Sequence, residues 1–209
     1  MSDPLPYAHV LKRQPAQARS EQRIEDLLDA ASDLLRDREP EAITVRDLAG
    51  AAGVPTGTLY QFFEDKEAVF QALAVRFLAA MPGILDGAVA SGRSDWSHTV
   101  GRVVDAYAGM VREHPASRRL WLSGTIDAAT RRLERDTDTT IAARLGALLS
   151  EQAGTGRGTP EQWRTLVALI DGVLRHAFTE HPDGDPIALR EGRRAARAYV
   201  AAVLGTRSA

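Results

Sequence analysis

The sequence predicts an all-α fold, with a small N-terminal three-helix domain followed by a larger helical domain. Three observations support this. Apolar residues recur at i, i+3, i+4, i+7 along most of the 209 residues, the period of a helix with one buried face. Glycine and proline cluster between those runs, where they end helices and shape turns. Residues 44–60 read as two short helices hinged at a glycine, an arrangement that can place its second helix in the major groove of DNA.

Residues 1–19 carry Pro4, Pro6 and Pro15 with little apolar periodicity and are expected to form a flexible arm. Its Lys12, Arg13 and Arg19 either reach a DNA backbone or are simply solvated. Over 20–38, Ile24, Leu27, Leu28, Ala31, Leu34 and Leu35 follow helical spacing and Pro40 marks the end. This helix packs across the helix pair behind it. Thr44 suits an N-cap, its hydroxyl accepting from the N–H near Asp47, whose carboxylate favours the positive helix start. Val45, Leu48, Ala49 and Ala52 form the buried face, and Gly53 takes the left-handed turn. Pro55 opens the next helix, where its missing N–H costs nothing. Thr56, Gly57 and Thr58 follow, small enough for backbone and hydroxyls to approach phosphates and base edges.

The run 43–63, with Asp65-Lys66-Glu67 behind it, resembles the helix-turn-helix signature of the TetR family of transcriptional regulators. The resemblance covers about residues 20–80, and Gly53-Val54-Pro55-Thr56-Gly57-Thr58-Leu59-Tyr60, then Phe63 and Lys66, carry it. It implies that the helix beginning at Thr56 reads an operator and that Tyr60 and Lys66 touch phosphate. Phe62 stands where many members have histidine, so no phosphate contact is carried over to that position.

The remaining chain resembles the family in layout only. Phe62 and Phe63 are expected to anchor the first core. Asp65 then caps a connecting helix with Ala68, Val69, Phe70, Leu73, Phe77 and Leu78, broken at Pro82-Gly83, with 87–92 a weak helix or loop. Strong periodicity returns over 96–111, a short segment holds Leu120, Trp121 and Leu122, and a charged helix runs over about 127–149. Gly154-Thr155-Gly156-Arg157-Gly158 is a connecting loop, because a phosphate-cradling glycine cluster needs a preceding strand. Thr159-Pro160-Glu161-Gln162 opens a helix with a capping box. Its apolar stripe, and the small-residue face of the last helix around Ala195, Ala196, Tyr199, Val200 and Val203, suggest a four-helix bundle between two chains or an internal core. The expected domains are therefore the arm (1–19), the helix-turn-helix domain (20–66) and a ligand-binding and dimerisation domain (67–209).

Composition narrows the classes. There is no cysteine, which excludes disulfides and thiolate metal sites. No apolar run is expected to approach the roughly 20 residues of a membrane span. The N-terminus lacks the basic-then-apolar pattern of a secretory signal, so a cytoplasmic protein is expected. Residues 1–66 hold 8 Lys/Arg against 12 Asp/Glu, which argues against a non-specific nucleic-acid coat without excluding a site-specific reader. No catalytic constellation, metal site or cofactor motif is found, and the five histidines are scattered.

The expected DNA-binding residues are Thr44, Arg46, Pro55, Thr56, Gly57, Thr58, Tyr60, Gln61 and Lys66. Among them Gln61 is the candidate base reader through its amide. A small organic effector is expected among Tyr107, Met110, Trp121, Trp163, Asp171 and Phe178, with Asp171 costly to bury unless paired, most simply with Arg175. The reading is a ligand-responsive regulator, a repressor binding a palindromic double-stranded operator as a homodimer. The alternative is a helical small-molecule-binding or interaction module without DNA binding.

Overall fold

A computed structural model describes residues 5–90, 95–124 and 127–205, and within these every regular element is helical. The elements are α1 (Ala18–Asp37), α2 (Val45–Ala51), α3 (Thr56–Phe62), α4 (Lys66–Val89), α5 (Trp96–Glu113), α6 (Pro115–Ser123), α7 (Ala128–Gln152), α8 (Pro160–Thr179) and α9 (Pro186–Leu204). They form two compact units. The first comprises residues 1–79 and 114–133, the second 80–113 and 134–209.

The core of the first unit is built where the periodicity places it. Ile24, Leu27, Leu28, Ala31 and Leu35 of α1 meet Leu48 of α2, Leu59 of α3, and Phe62 and Phe63. Val69, Phe70, Ala72, Leu73 and Val75 of α4 close it. By length and composition α4 is apolar enough to cross a membrane, contrary to the sequence expectation that no such run exists. Its buried residues supply the packing of this core, which is one use for that apolarity.

Besides taking in residues 67–79 of α4, the unit departs from the sequence reading in two places. Residues 5–12 are docked rather than loose: Tyr7 is buried, its hydroxyl donates to Glu25, Leu11 joins the core, and the Lys12 N–H donates to the Phe62 carbonyl at 2.8 Å. One aromatic residue and one leucine suffice to pin a segment that has no periodicity of its own. Secondly, α6 belongs to this unit and not to the larger one. Ala116 and Leu120 enter the first core, and Arg119 Nε donates to the Leu35 carbonyl at 2.8 Å while its guanidinium pairs with Glu39.

In the second unit, α8 and α9 form a hairpin, and α5 packs against both. Thr159 and Gln162 make the expected capping box, and Asp185 caps α9. Gly192 is needed for close approach, because a Cβ there would meet Val173 Cγ1 at 2.1 Å. Pro82 does not break α4, which continues to Val89. An internal proline removes one hydrogen bond and strains one turn, but Leu85 beyond it is buried and the Tyr107 hydroxyl donates to the Met81 carbonyl at 3.2 Å. Of the expected loop 87–92, residues 91 and 92 lie outside the described residues.

The stripe expected at a dimer interface divides. Ala196 and Val200 have no exposed surface within one chain and are internal core, as are Trp163, Leu166, Ile170, Leu174, Ala177 and Phe178. The opposite faces remain open: Thr165, Ala168, Gly172 and His176 on α8, and Ala195, Ala198 and Ala202 on α9, are exposed.

Candidate nucleic-acid interface and ligand cavity

Short-range hydrogen bonds fix α2 and the turn that leads into α3. The Thr44 hydroxyl accepts from the Asp47 N–H at 3.2 Å, and an Asp47 carboxylate oxygen accepts from the Thr44 N–H at 2.8 Å. The same carboxylate accepts from Arg38 at 3.1 Å. The Thr44 hydrogen bonds, with Arg38 behind them, hold the Asp47 carboxyl at about 2, below its usual value. Gly53 adopts φ +65°, and the Val54 N–H donates to the Ala49 carbonyl, closing the turn between α2 and α3. Pro55 takes the N-cap of α3 rather than its first helical position.

This turn leaves one face of α3 in the open. Pro55, Thr56, Gly57 and Gln61 are exposed, Thr58 half-buried, and Tyr60 is a large aromatic side chain with 48% of its surface exposed. Thr44 and Arg46 are exposed at the start of α2. Leu59, Phe62 and Phe63 turn inward, as expected.

Lys66 is placed differently from the expectation of a phosphate contact. Its ammonium donates to the carbonyls of Ile43 at 2.8 Å, Pro40 at 3.0 Å and Glu41 at 3.4 Å. An ammonium has three N–H donors, and all three have protein acceptors here. Lys66 thus ties the start of α4 to the segment that leads into α2.

The acidity of this region has a structural explanation. Arg76 binds Glu25 at 2.8 Å and Asp29 at 2.9 Å, Arg119 binds Glu39, Arg38 binds Asp47, Arg36 binds Asp33, and Lys12 binds Glu64. Two of those cations, Arg76 and Arg119, lie beyond residue 66. Among the described residues, Arg13, Arg19, Arg23 and Arg46 have no hydrogen-bond or ion-pair partner. The carboxylates are thus largely engaged within the fold, while cations near α2 and α3 stay available.

The six expected ligand residues do not share a site. Tyr107 and Asp171 line one cavity of about 50 Å³ with Asp138, Met81 and apolar walls from α5, α7 and α8. Trp163 lies at a different hollow, packed over Gly146 and Gly158. Met110 is core, Phe178 is packed beneath the Arg112 guanidinium at 6.0 Å, and Trp121 stands on α6 in the first unit. Asp138 was not anticipated. Burial pushes it up to about 6, reinforced by the Asp171 and Glu134 charges. Asp171 is likewise pushed up to about 6 by burial, with Arg175 opposing. Burial also raises the Tyr107 hydroxyl, keeping it a donor. No group of three or more His, Asp or Glu side chains arranged to hold a metal occurs among the described residues.

Comparison with known proteins agrees with this layout. Residues 27–73 match the family described as bacterial regulatory proteins, tetR family, and residues 94–204 match the tetracyclin repressor-like C-terminal domain. An "HTH-type transcriptional repressor KstR2" from Rhodococcus jostii is 35% identical over 91 residues, 44% of this chain and 45% of that protein. An "HTH-type transcriptional regulator EthR" from Mycolicibacterium smegmatis is 30% identical over 107 residues, 51% of this chain and 49% of that protein. The matched stretches span about half the length of these curated relatives. A TetR-family transcriptional regulator from Streptomyces coelicolor superposes with a TM-score of 0.68 and 29% identity, covering 89% of this chain and 99% of that one.

Proposed function

Because the chain belongs to the TetR family, we propose that it is a ligand-responsive, DNA-binding transcriptional regulator, a repressor that holds a palindromic operator as a homodimer in the cytoplasm. The observation that carries this reading is the open face of α3, presented by a capped and glycine-hinged turn. Thr56, Gly57, Thr58 and Tyr60 face the major groove, while Thr44, Arg46 and the Pro55 end of α3 meet the backbone. Lys66 acts one step behind, holding the segment that positions α2.

The exposed small residues of α8 and α9 support the dimer. Ala168 and Gly172, with Ala195, Ala198 and Ala202, let two helix pairs approach closely into a four-helix bundle. Since Ala196 and Val200 are core, the informative substitutions are Ala198→Glu and Gly172→Glu, which alter the outer face only. Light scattering of these variants should show monomer; an unchanged dimer would put the interface elsewhere.

The effector enters the second unit at the cavity of Tyr107, Asp138 and Asp171. At about 50 Å³ it is well below the ~300–1,000 Å³ of a typical ligand pocket, so binding must widen it. Met81 in its wall belongs to α4, the helix that begins at Lys66, which gives the effector a lever on the reading segment. An effector acts only through unequal affinity for the DNA-competent and incompetent shapes, typically by ~1–3 kcal/mol. A gel shift with the DNA upstream of the protein's own gene tests the reading. A retarded band resistant to excess unrelated DNA is expected. Its absence there and across genomic fragments would favour the interaction module without DNA binding.

A further inference from the structure

Gln61, expected to read a base, borders a hollow of about 260 Å³ together with Arg13, Arg23, Ser20 and Gln14. This hollow lies at the junction of the N-terminal segment, the start of α1 and the end of α3, all within the first unit. Arg13 and Arg23 are two of the four cations in that region without a partner among the described residues. Two unpaired arginines bordering one depression favour an anion between them. The segment bearing Arg13 is held in place. The Lys12 N–H donates to the Phe62 carbonyl at 2.8 Å, the Gln14 amide donates to the Ala8 carbonyl at 2.6 Å, and α1 begins at Ala18. Arg13 therefore has a fixed attachment beside the end of α3, unlike a cation on a loose tail.

We propose that this hollow is a phosphate clamp, in which Arg13, Arg23 and the Gln61 amide hold one backbone phosphate of the operator at the edge of the groove that α3 reads. The proposal rests on the DNA-binding reading above and deepens it. Guanidinium forks suit phosphate oxygens, and an amide N–H beside them adds a third donor. One consequence is a change of role for Gln61. It sets the register of α3 on the duplex, and base discrimination falls to Thr56, Thr58 and Tyr60. A second consequence is that Arg13 and Arg23 act on the same phosphate, so their effects are coupled.

Two measurements on the full chain test this, using the operator duplex located by the gel shift. In the first, single backbone phosphates are replaced in turn by neutral methylphosphonates. Wild-type protein should show one position per half-site whose neutralisation weakens binding and whose penalty disappears in Arg13→Ala/Arg23→Ala, while penalties elsewhere persist. In the second, Arg13→Ala and Arg23→Ala should each weaken binding about tenfold, the loss of one charge-assisted hydrogen bond. The double variant should lose about ten- to thirtyfold rather than the hundredfold of independent sites. Gln61→Ala should weaken all operator variants alike, and Gln61→Glu should weaken them more. Multiplying losses, with no position rescued in the phosphate scan, would overturn the clamp while leaving DNA binding intact. Failure of wild-type protein to bind any duplex would instead remove the reading beneath it. A thermal shift with inorganic phosphate, lost in the double variant and unaccompanied by any change in operator affinity, would assign the hollow to a free phosphate ligand and overturn the operator assignment.

Discussion

Both units cap helices and pair charges, but among the described residues only the second also turns two carboxylates into a cavity. In the first, Lys66 has three carbonyl acceptors, Arg76 bridges two carboxylates, Arg119 reaches the end of α1, and Asp47 closes a capping box. These contacts tie α4 and α6 to α1 and to the segment leading into α2. In the second unit, Asp138 and Asp171 face one small cavity among apolar walls, and burial raises both towards neutrality. A reader of DNA gains from a single rigid shape, because a small misplacement of α3 costs contacts along the whole groove. A sensor gains from a site whose electrostatic cost a ligand can relieve.

Core truncation in the rigid unit should have the largest effect. Phe63 is fully buried, and Phe63→Ala should cost about 3–5 kcal/mol in chemical denaturation and abolish operator binding. A loss below 1 kcal/mol would mean that the reading unit is far more adaptable than its packing implies. Next comes Lys66→Ala, which leaves three carbonyls without their ammonium and should cost about 1–3 kcal/mol. Its effect on DNA distinguishes tether from phosphate contact. A tether weakens operator binding with an unchanged salt slope, whereas a phosphate contact lowers that slope by about one.

Thr44→Ala should cost about 1 kcal/mol, the usual value of an N-cap. Because Asp47 is held at about 2, its contribution is present above the usual carboxylate value and is lost as pH falls through about 2. The stability difference between wild type and Thr44→Ala should therefore shrink in strong acid, as thermal melts would report.

The second unit should respond with the opposite sign. A carboxyl raised from 3.8 to about 6 binds more protons folded than unfolded between those values, so it lowers stability progressively as pH rises through that window. Asp138→Asn and Asp171→Asn should each raise stability at pH 8, by about 1 kcal/mol after allowing for solvent screening, and leave it unchanged at pH 3. Destabilisation at pH 8 would show that these carboxylates hold the unit together and would end the contrast between the two regions.

What could be read in the sequence follows the distance between partners along the chain, in both units. The Thr44–Asp47 box, the Gly53 turn, the Asp65 cap and the Thr159–Gln162 box span three to five residues, so local spacing reveals them. The helical stripes were legible for the same reason. Contacts between distant positions were not: Lys66 meets carbonyls 23 to 26 residues away, and Arg119 meets Leu35 across 84. Tyr7 and Leu11 dock a segment whose prolines advertise disorder. Asp138 left one trace, since it shares a helical face with Ile141 and Leu145 and therefore interrupts a buried stripe. The aromatic residues gathered as one ligand site were scattered, because size and hydrophobicity suit core, surface hollow and pocket alike.

The central claim is that the first unit reads DNA sequence and does more than attract charge. Fluorescence anisotropy at several salt concentrations, with the upstream duplex and a scrambled duplex of equal length, tests it most directly. The account predicts two chains per inverted repeat, an affinity at least about a thousandfold above that for the scrambled duplex, and a discrimination that persists as salt rises. Equal affinity for the two duplexes, vanishing together with added salt, would contradict it.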